Sequence, residues 1–227
     1  MDLASILHGI GFSNIRNNNG IITKTSANKI GYDIFTECLI DIPKLSTVSI
    51  ARLINRIVRQ LPSDQSYLNI GMWHGYSFFA GMAGNSDKRC IGVDKWCDTL
   101  ESIDPPRNKF NEIYNRVKSP LSIVYDMDFR QLFFDGLLKG ERVGLYFYDA
   151  DHNYQPTLDA LELADPYVVA GGLVMIDDIN TDFPCSATMD FLASDAGKKY
   201  KVVMWINTEN GMDPWWWNGI AILEKWQ

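Results

Sequence analysis

The sequence predicts an α/β chain: a doubly wound, seven-stranded, mostly parallel sheet with an antiparallel last strand, preceded by an N-terminal helical cap. Three observations predict it. From residue 63 onward, short continuous apolar runs alternate with helix-like stretches, the pattern of parallel strands covered on both faces. A glycine or an acid stands where each of the first five apolar runs hands over to the next segment: Gly71, Asp94, Asp126, Asp149 and Asp177. The last two apolar runs, 200–206 and 217–224, are joined by a loop rich in turn residues, TENGMDP, which suits an antiparallel pair.

The elements follow in order. Residues 1 to about 45 show weak periodicity and scattered Gly and Asn, and predict irregular chain with a turn at Asn17-Asn18-Asn19-Gly20. Ser46 then caps a helix with Ile50, Leu53, Ile54, Ile57, Val58 and Leu61 on one side and Arg52, Arg56 and Arg59 on the other. Strands are predicted at 67–71, 89–94, 121–125, 142–149 and 173–177, the last entered through Gly171-Gly172. Helices are predicted at 76–83, 108–117, 129–138, 157–164 and 187–196. Residues 1–62 are expected to form a cap or lid outside the sheet, and 63–227 the ligand-binding domain.

A length of 227 residues allows one such domain plus a short appendage, with a sizeable core. Hydrophobic residues at 46% and charged residues at 22% exclude a disordered chain. Lys plus Arg is 21 against 28 Asp plus Glu, and no basic run interrupts this acidic balance, so no nucleic-acid partner is expected. The longest apolar run, 167–176, is too short to span a bilayer. The start MDLASILHGIGF has neither a basic opening nor a small-residue cleavage site. The expectation is a cytoplasmic protein with a small-molecule partner, no membrane, and room for a homodimer. Cys38, Cys90, Cys97 and Cys185 form no CxxC pair and are expected to be reduced, small buried hydrophobes.

Ligands of parallel sheets bind beyond the carboxyl ends of the strands, and the candidate site residues all stand there. The first turn is Gly71-Met72-Trp73-His74-Gly75. This GxxxG spacing puts Trp73 where a GxGxxG dinucleotide fingerprint needs its second glycine, and no GK[ST] follows for a P-loop. A glycine turn lacking the pyrophosphate fingerprint suits a ligand such as S-adenosylmethionine, though tight turns use glycine too. Asp94 ends the next strand, 23 residues after Gly71, where an acid accepts hydrogen bonds from ribose hydroxyls or caps a turn. Asp128, past the third strand, suits an adenine amino group or a plain helix N-cap.

The runs YLNIGMWHGYSFFAGM, CIGVD, YFYDADHNY and GGLVMIDD, taken together, resemble the class I S-adenosylmethionine-dependent methyltransferases, and within them the small-molecule group with a D-x-D-H-x-Y segment after the fourth strand. The likeness covers roughly residues 65 to 225. It implies a Rossmann-like sheet, with S-adenosyl-L-methionine held by Asn69, Gly71, Gly75, Ser77, Asp94, Trp96, Asp128 and Asp149. Where such enzymes often carry an acid, this chain has Asn69, which accepts a hydrogen bond but brings no charge to the ligand's amino group.

Asp149, Asp151 and His152 end one predicted strand, and Asp177 and Asp178 the next. Carboxylates crowded into one cleft repel one another unless a cation joins them, and oxygen ligation favours Mg²⁺, Mn²⁺ or Ca²⁺. The resemblance to metal-dependent O-methyltransferases implies a divalent cation, Mg²⁺ first, on Asp149, Asp177 and Asp178. It also implies His152 as general base, with Asp151 as competitor. The plain alternative is loop capping without a metal. His74 is expected to be a surface or loop residue.

Four tryptophans attract notice. Trp96 follows Asp94 by two and suits an adenine or ribose contact, whereas Trp217 suits core packing at a strand start. Trp215 and Trp216 suit either the acceptor site or a dimer seam. The expected activity is methyl transfer to a hydroxyl of a small molecule, a sugar or natural product. Metal-independent N-methylation, a nicotinamide or nucleotide-sugar oxidoreductase, and a non-catalytic cofactor-binding protein are the rivals.

Overall fold

The computed structural model describes residues 1–26, 38–96, 105–209 and 211–227. Its elements are α1 (Leu3–Gly9), β1 (Ser13–Asn18), β2 (Ile21–Ser26), α2 (Val48–Gln60), β3 (Ser66–Ile70), α3 (Tyr76–Met82), β4 (Arg89–Asp94), α4 (Pro106–Val117), β5 (Ser122–Asp126), α5 (Phe129–Phe134), β6 (Val143–Tyr148), α6 (Tyr154–Ala164), β7 (Val168–Asp177), α7 (Asp182–Ala193), β8 (Tyr200–Ile206) and β9 (Ile220–Lys225).

The strands form one sheet in the order β1-β2-β8-β9-β7-β6-β3-β4-β5. β3 to β7 run parallel, and β9 lies antiparallel between β7 and β8. The chain proceeds outward from β3 to β4 and β5, then returns to place β6 on β3's other side. That reversal is the topological switch point, where the diverging loops leave a crevice.

The seven predicted strands are present, and the N-terminus adds two more. The polar run of β1 was expected to be irregular and outside the sheet. Instead β1 and β2 form a hairpin, with Asn18 opposite Ile21, and β2 extends the sheet through Ile22 beside Met204 of β8. The reason is local. Asn19 and Gly20 both hold positive φ, 51° and 86°, the conformation of a two-residue turn whose twist matches antiparallel strands.

The core lies in two layers, one on each face of the sheet. Tyr67, Leu145, Phe147, Leu173 and Met175 face α2 and α3, whereas Leu68, Ile70, Tyr146, Tyr148, Val174 and Ile176 face α5 to α7. Strands buried on both faces explain the continuous apolar runs. Helix α2 presents Ile50, Leu53, Ile54, Ile57 and Val58 to the first layer, each burial favouring folding by about 1.5–3 kcal/mol. Its cap is Thr47 rather than Ser46. Thr47 takes the extended backbone that a cap needs, and its hydroxyl accepts the Ile50 N–H at 3.3 Å.

Other limits shift too. Strand β7 begins at Val168 and carries Gly171-Gly172 within it, with a register shift against β6 between Val143 and Leu145. Strand β9 begins at Ile220, so Trp217 lies in the preceding loop at φ 52°. Cys90 is buried, and burial together with Asp87 pushes its thiol up to about 12, in line with a small core residue. Cys38 is exposed and Cys185 half-buried, both against expectation, and Cys97 lies outside the described residues. Among the described residues no helix is long and apolar enough to cross a membrane.

Candidate active site

Sheet register brings the candidate acids to one edge. Val93, Ile70, Tyr148 and Ile176 lie side by side across β4, β3, β6 and β7. The next residue along each strand is therefore Asp94, Gly71, Asp149 and Asp177, all at the carboxyl end. A cleft of about 480 Å³ opens above the switch point, lined among others by Gly71, Trp73, Asp94, Trp96, Asp128, Asp149 and Asp151.

The glycine turn is built for close approach. Gly71 holds φ +82°, and a side chain there would run into the Asp149 carbonyl. Only glycine lets the end of β3 approach the backbone after β6 so closely. Gly75, at φ +92°, is packed under the rings of Phe79 and Phe110 and serves the turn's shape rather than the cleft wall.

Asp94 fastens this turn. Its Oδ2 accepts the N–H groups of Met72 and Trp73 at 2.6 and 2.8 Å, and its Oδ1 accepts that of Trp96 at 2.7 Å. The turn-cap reading of Asp94 therefore holds, in a residue that also lines the cleft. Oδ2 has both of its lone-pair sites taken by amides, whereas Oδ1 keeps one for a ligand hydroxyl. Trp96 is buried against Phe110, and its indole N–H donates to the Trp73 carbonyl at 2.8 Å.

Asp128 caps α5 through the Arg130 N–H at 2.9 Å, as the plain N-cap reading expects, and it also lines the cleft. Sequence reasoning missed Lys95, Met127 and Arg130, which complete this wall. For Met127 and Arg130 the DMDFR segment carried the signal, because the capping Asp128 fixes its neighbours at the helix start, and for Lys95 it was the place next to Asp94. Arg130 is held by Asp159 at 2.7 Å and lies over the Phe129 ring.

Asn69 and Ser77 stand elsewhere. Both are buried beneath the turn, where the Ser77 hydroxyl donates to Asn69 Oδ1 at 2.9 Å and Asn69 Nδ2 donates to the Gly71 carbonyl at 3.0 Å. Their polar atoms hold the turn from below and are not on the cleft wall. An acid at position 69 would bring an ionised group into this buried network. His74 is also buried, edge-on to Trp73 with ring centroids 4.3 Å apart, rather than at the surface.

The second group of acids meets around an imidazole. His152 Nε2 lies 3.3 Å from Asp178 Oδ2 and 3.6 Å from Asp149 Oδ1. Burial pulls the His152 pKa down, but Asp149, Asp178 and Asp151 outweigh it and hold the imidazole above its ordinary value. Asp177 is 2% exposed. Burial, then the charges of Asp149 and Asp178, push its carboxyl well above the usual range. Burial also raises Asp178, against the opposing pull of His152.

Asp177 Oδ1 and Asp178 Oδ1 are buried with no hydrogen-bond partner among the described residues. Such atoms are costly in a fold, so the cluster is incomplete as it stands. Among the described residues no three His, Cys, Asp or Glu side chains converge as a metal site. Asp151 is exposed, and its Oδ1 accepts the backbone N–H and side-chain amide of Asn153 ahead of α6.

Beyond β8, Trp216 is buried, stacks on Phe12 at 4.9 Å and donates to Thr25 Oγ1 at 2.7 Å, tying the N-terminal hairpin to the main chain. Core packing therefore accounts for Trp216. Trp215 and Trp217 are half-buried and line a second cavity.

Residues 68–179, from β3 through the carboxylate cluster, match a family model described as a methyltransferase domain. An uncharacterized protein, R132, of Acanthamoeba polyphaga mimivirus is 31% identical over 117 residues, which are 51% of this chain and 52% of that protein. The chain thus matches about half the length of this curated relative. Among solved structures, an O-methyltransferase from Bacillus cereus in complex with SAH has a TM-score of 0.60 at 18% identity, covering 86% of this chain and 93% of that one. CalS11, a TDP-rhamnose 3'-O-methyltransferase of calicheamicin biosynthesis, has a TM-score of 0.55 at 16% identity, covering 77% and 76%. At these identities the structural likeness shows the shared fold.

Proposed function

We propose that this methyltransferase transfers the methyl group of S-adenosyl-L-methionine to a hydroxyl of a small molecule. The observation that carries the reading is the single rim on which Asp94, Gly71 and Asp149 stand in register around one cleft. The methionine part lies along the Gly71–Gly75 turn, the ribose hydroxyls on Asp94, and the adenine between Trp96 and the Asp128 side of the wall.

Transfer is an in-line displacement at the methyl carbon. An acceptor oxygen forms the new C–O bond as the C–S bond breaks, and the sulfur keeps the electron pair and leaves as a neutral thioether. The acceptor proton must go to a base. A sulfonium leaves readily, so the protein's part is orientation and proton removal. His152 and Asp151 are the candidate bases. His152 is the better placed, because its imidazole stands among the acids of β6 and β7 while the Asp151 carboxylate is engaged by Asn153.

The donor chemistry here suits a hard divalent cation, whose binding would draw together three side chains that do not converge as they stand. Asp149, Asp177 and Asp178 offer only oxygens, two of which are buried without a partner among the described residues. Bound there, the ion would polarise the acceptor hydroxyl. A second reading is metal-free, and one observation favours it: His152 already lies between Asp149 and Asp178 as their counter-charge.

Calorimetric titration with S-adenosylhomocysteine and with NAD tests the cofactor. Binding of the first and not the second is expected, and the reverse would install the oxidoreductase reading. Titration with Mg²⁺ and Mn²⁺, and assays with EDTA, separate the two metal readings. No ion binding and unchanged turnover in EDTA would leave the metal-free one.

A further inference from the structure

Trp73 stands at the centre of the glycine turn with φ +50°, a conformation that is strained for a bulky residue and free for glycine. Gly71 and Gly75, on either side, hold φ +82° and +92°. A glycine between them would relieve the backbone, yet the turn carries an indole there.

Several ties hold the strained residue in place. The Trp73 N–H donates to Asp94 Oδ2 at 2.8 Å, and its carbonyl accepts the Trp96 indole N–H at 2.8 Å. His74 packs against its ring with centroids 4.3 Å apart. Backbone strain kept this firmly beside a cleft points to function. Both backbone polar groups of Trp73 are engaged within the turn, so the indole is what this half-buried residue presents to the cleft it lines.

Charge narrows the ligand. Among the described residues that line the cleft, Asp94, Asp128, Asp149 and Asp151 stand against Lys95 and Arg130, a balance that favours a cation. The turn itself brings no carboxylate to the methionine end. Asn69, beneath it, is neutral and engaged with Ser77 and the Gly71 carbonyl. An aromatic face attracts a cation, and tryptophan does so best.

We propose that Trp73 is a specificity-determining residue whose indole face meets the sulfonium of S-adenosyl-L-methionine and recognises its positive charge. The inference rests on the methyl transfer proposed above and deepens it at the donor site. It gives the strain a reason, because glycine would relax the turn and lose the ring. Methyl transfer converts the sulfonium into a neutral thioether, so the ring favours the charged donor over the neutral product.

Calorimetry on the full chain with three ligands tests this. S-adenosylmethionine carries the charge, S-adenosylhomocysteine lacks it, and sinefungin carries it on a protonated amine instead of sulfur. Trp73→Leu keeps an apolar side chain without the π face. It should weaken S-adenosylmethionine and sinefungin about three- to tenfold, and S-adenosylhomocysteine less than about twofold. Trp73→Phe keeps a weaker π face and should cost the two charged ligands about two- to threefold. It carries the test if melting curves show that the leucine variant does not fold. Equal weakening of all three ligands would mean an apolar wall rather than a charge contact, and unchanged binding of the charged pair would remove Trp73 from the site. Either result overturns the proposal while leaving methyl transfer in place. An unaltered chain that binds none of the three would overturn the methyl-transfer reading, and this inference with it.

Discussion

Asp94 Oδ2 accepts the Met72 N–H at 2.6 Å, so the acid that ends one strand ties down the turn that leaves its neighbour. With Trp73 and Trp96 also bound to it, one carboxylate organises three backbone amides around the cleft. Asp94 also lines the cleft, beside the place proposed for the ribose. The turn's structure and the proposed ribose contact thus rest on one side chain.

Asp94→Ala should lose both. Hydrogen bonds to a charged acceptor contribute about 1.5–3 kcal/mol each, and the three amides would partly recover theirs from water. A net loss of about 2–4 kcal/mol is expected, with S-adenosylhomocysteine binding weakened about tenfold or more. Asp94→Asn, which keeps one accepting oxygen, should fall between. Urea unfolding and calorimetry measure the pair. An Asp94→Ala protein with unchanged affinity would mean the ribose sits elsewhere.

Gly71→Ala should be more severe than its size suggests. The residue holds φ +82°, and a methyl group there meets the Asp149 carbonyl and the Ala150 backbone. Backbone must move, so a loss of about 2 kcal/mol or more is expected. The control is Gly20→Ala, also at positive φ but with open space around it. It should cost about 1 kcal/mol. Equal losses at both sites would show that conformation alone, and not the β3–β6 approach, makes Gly71 necessary.

Asp177→Asn should stabilise the ion-free protein at neutral pH. The buried carboxyl is raised well above its ordinary value by burial and by Asp149 and Asp178. A raised acid makes the folded state the stronger proton binder, so stability falls as pH climbs from the unfolded carboxyl value of about 3.9 through the folded one. His152 acts in the same direction, because its raised pKa gives stability that is present below about 6.5 and lost as pH passes the folded value. Melting curves at stepped pH should show the unaltered chain declining toward alkaline pH and Asp177→Asn declining less. A gain of about 1–2 kcal/mol corresponds to roughly 2–8 °C in a chain this long. Mg²⁺ that raises the melting temperature of the unaltered chain and not of Asp177→Asn would support the cation site.

Asp165 should govern the acid side. It is buried at the other edge of the sheet, bound by Lys199 at 2.6 Å, Lys225 at 2.8 Å and the Tyr200 hydroxyl at 3.1 Å. Burial raises its pKa, yet these partners outweigh burial and hold it below the ordinary value. Its stabilising contribution is therefore present above the unfolded value of about 3.9 and lost as pH falls through the folded one. Lys225→Met leaves a buried acid short of a partner and should cost about 3 kcal/mol in stability, with cofactor affinity intact because the cleft lies at the opposite strand ends. A change in S-adenosylhomocysteine affinity would contradict that separation.

The parallel core and the positions of the acids were legible because burial on both faces leaves uninterrupted apolar runs, and because polar residues return where strands end. Asp94, Asp149 and Asp177 could be placed at strand tips from the order of residues alone. The N-terminal hairpin was hidden for the opposite reason. Serine, asparagine and arginine in β1 give an edge strand no apolar signature, although the Asn19-Gly20 turn was in plain view. Asn69 and Ser77 carried the right chemistry for a ligand, but alternation along β3 and the turn of α3 point them inward, toward each other.

By itself, the sequence determined the sheet, the turn and the row of acids, since hydrophobic periodicity and glycine conformation are local and survive without knowledge of neighbours. Only the tertiary structure decided which atoms are already engaged and which are left without partners. Asp94 engages its oxygens with three amides, His152 settles between two carboxylates, and Ser49 keeps a hydroxyl without a partner among the described residues. Those outcomes depend on residues far apart in the chain, brought together by packing, and hydrogen-bond satisfaction is a property of the assembled interior rather than of any segment.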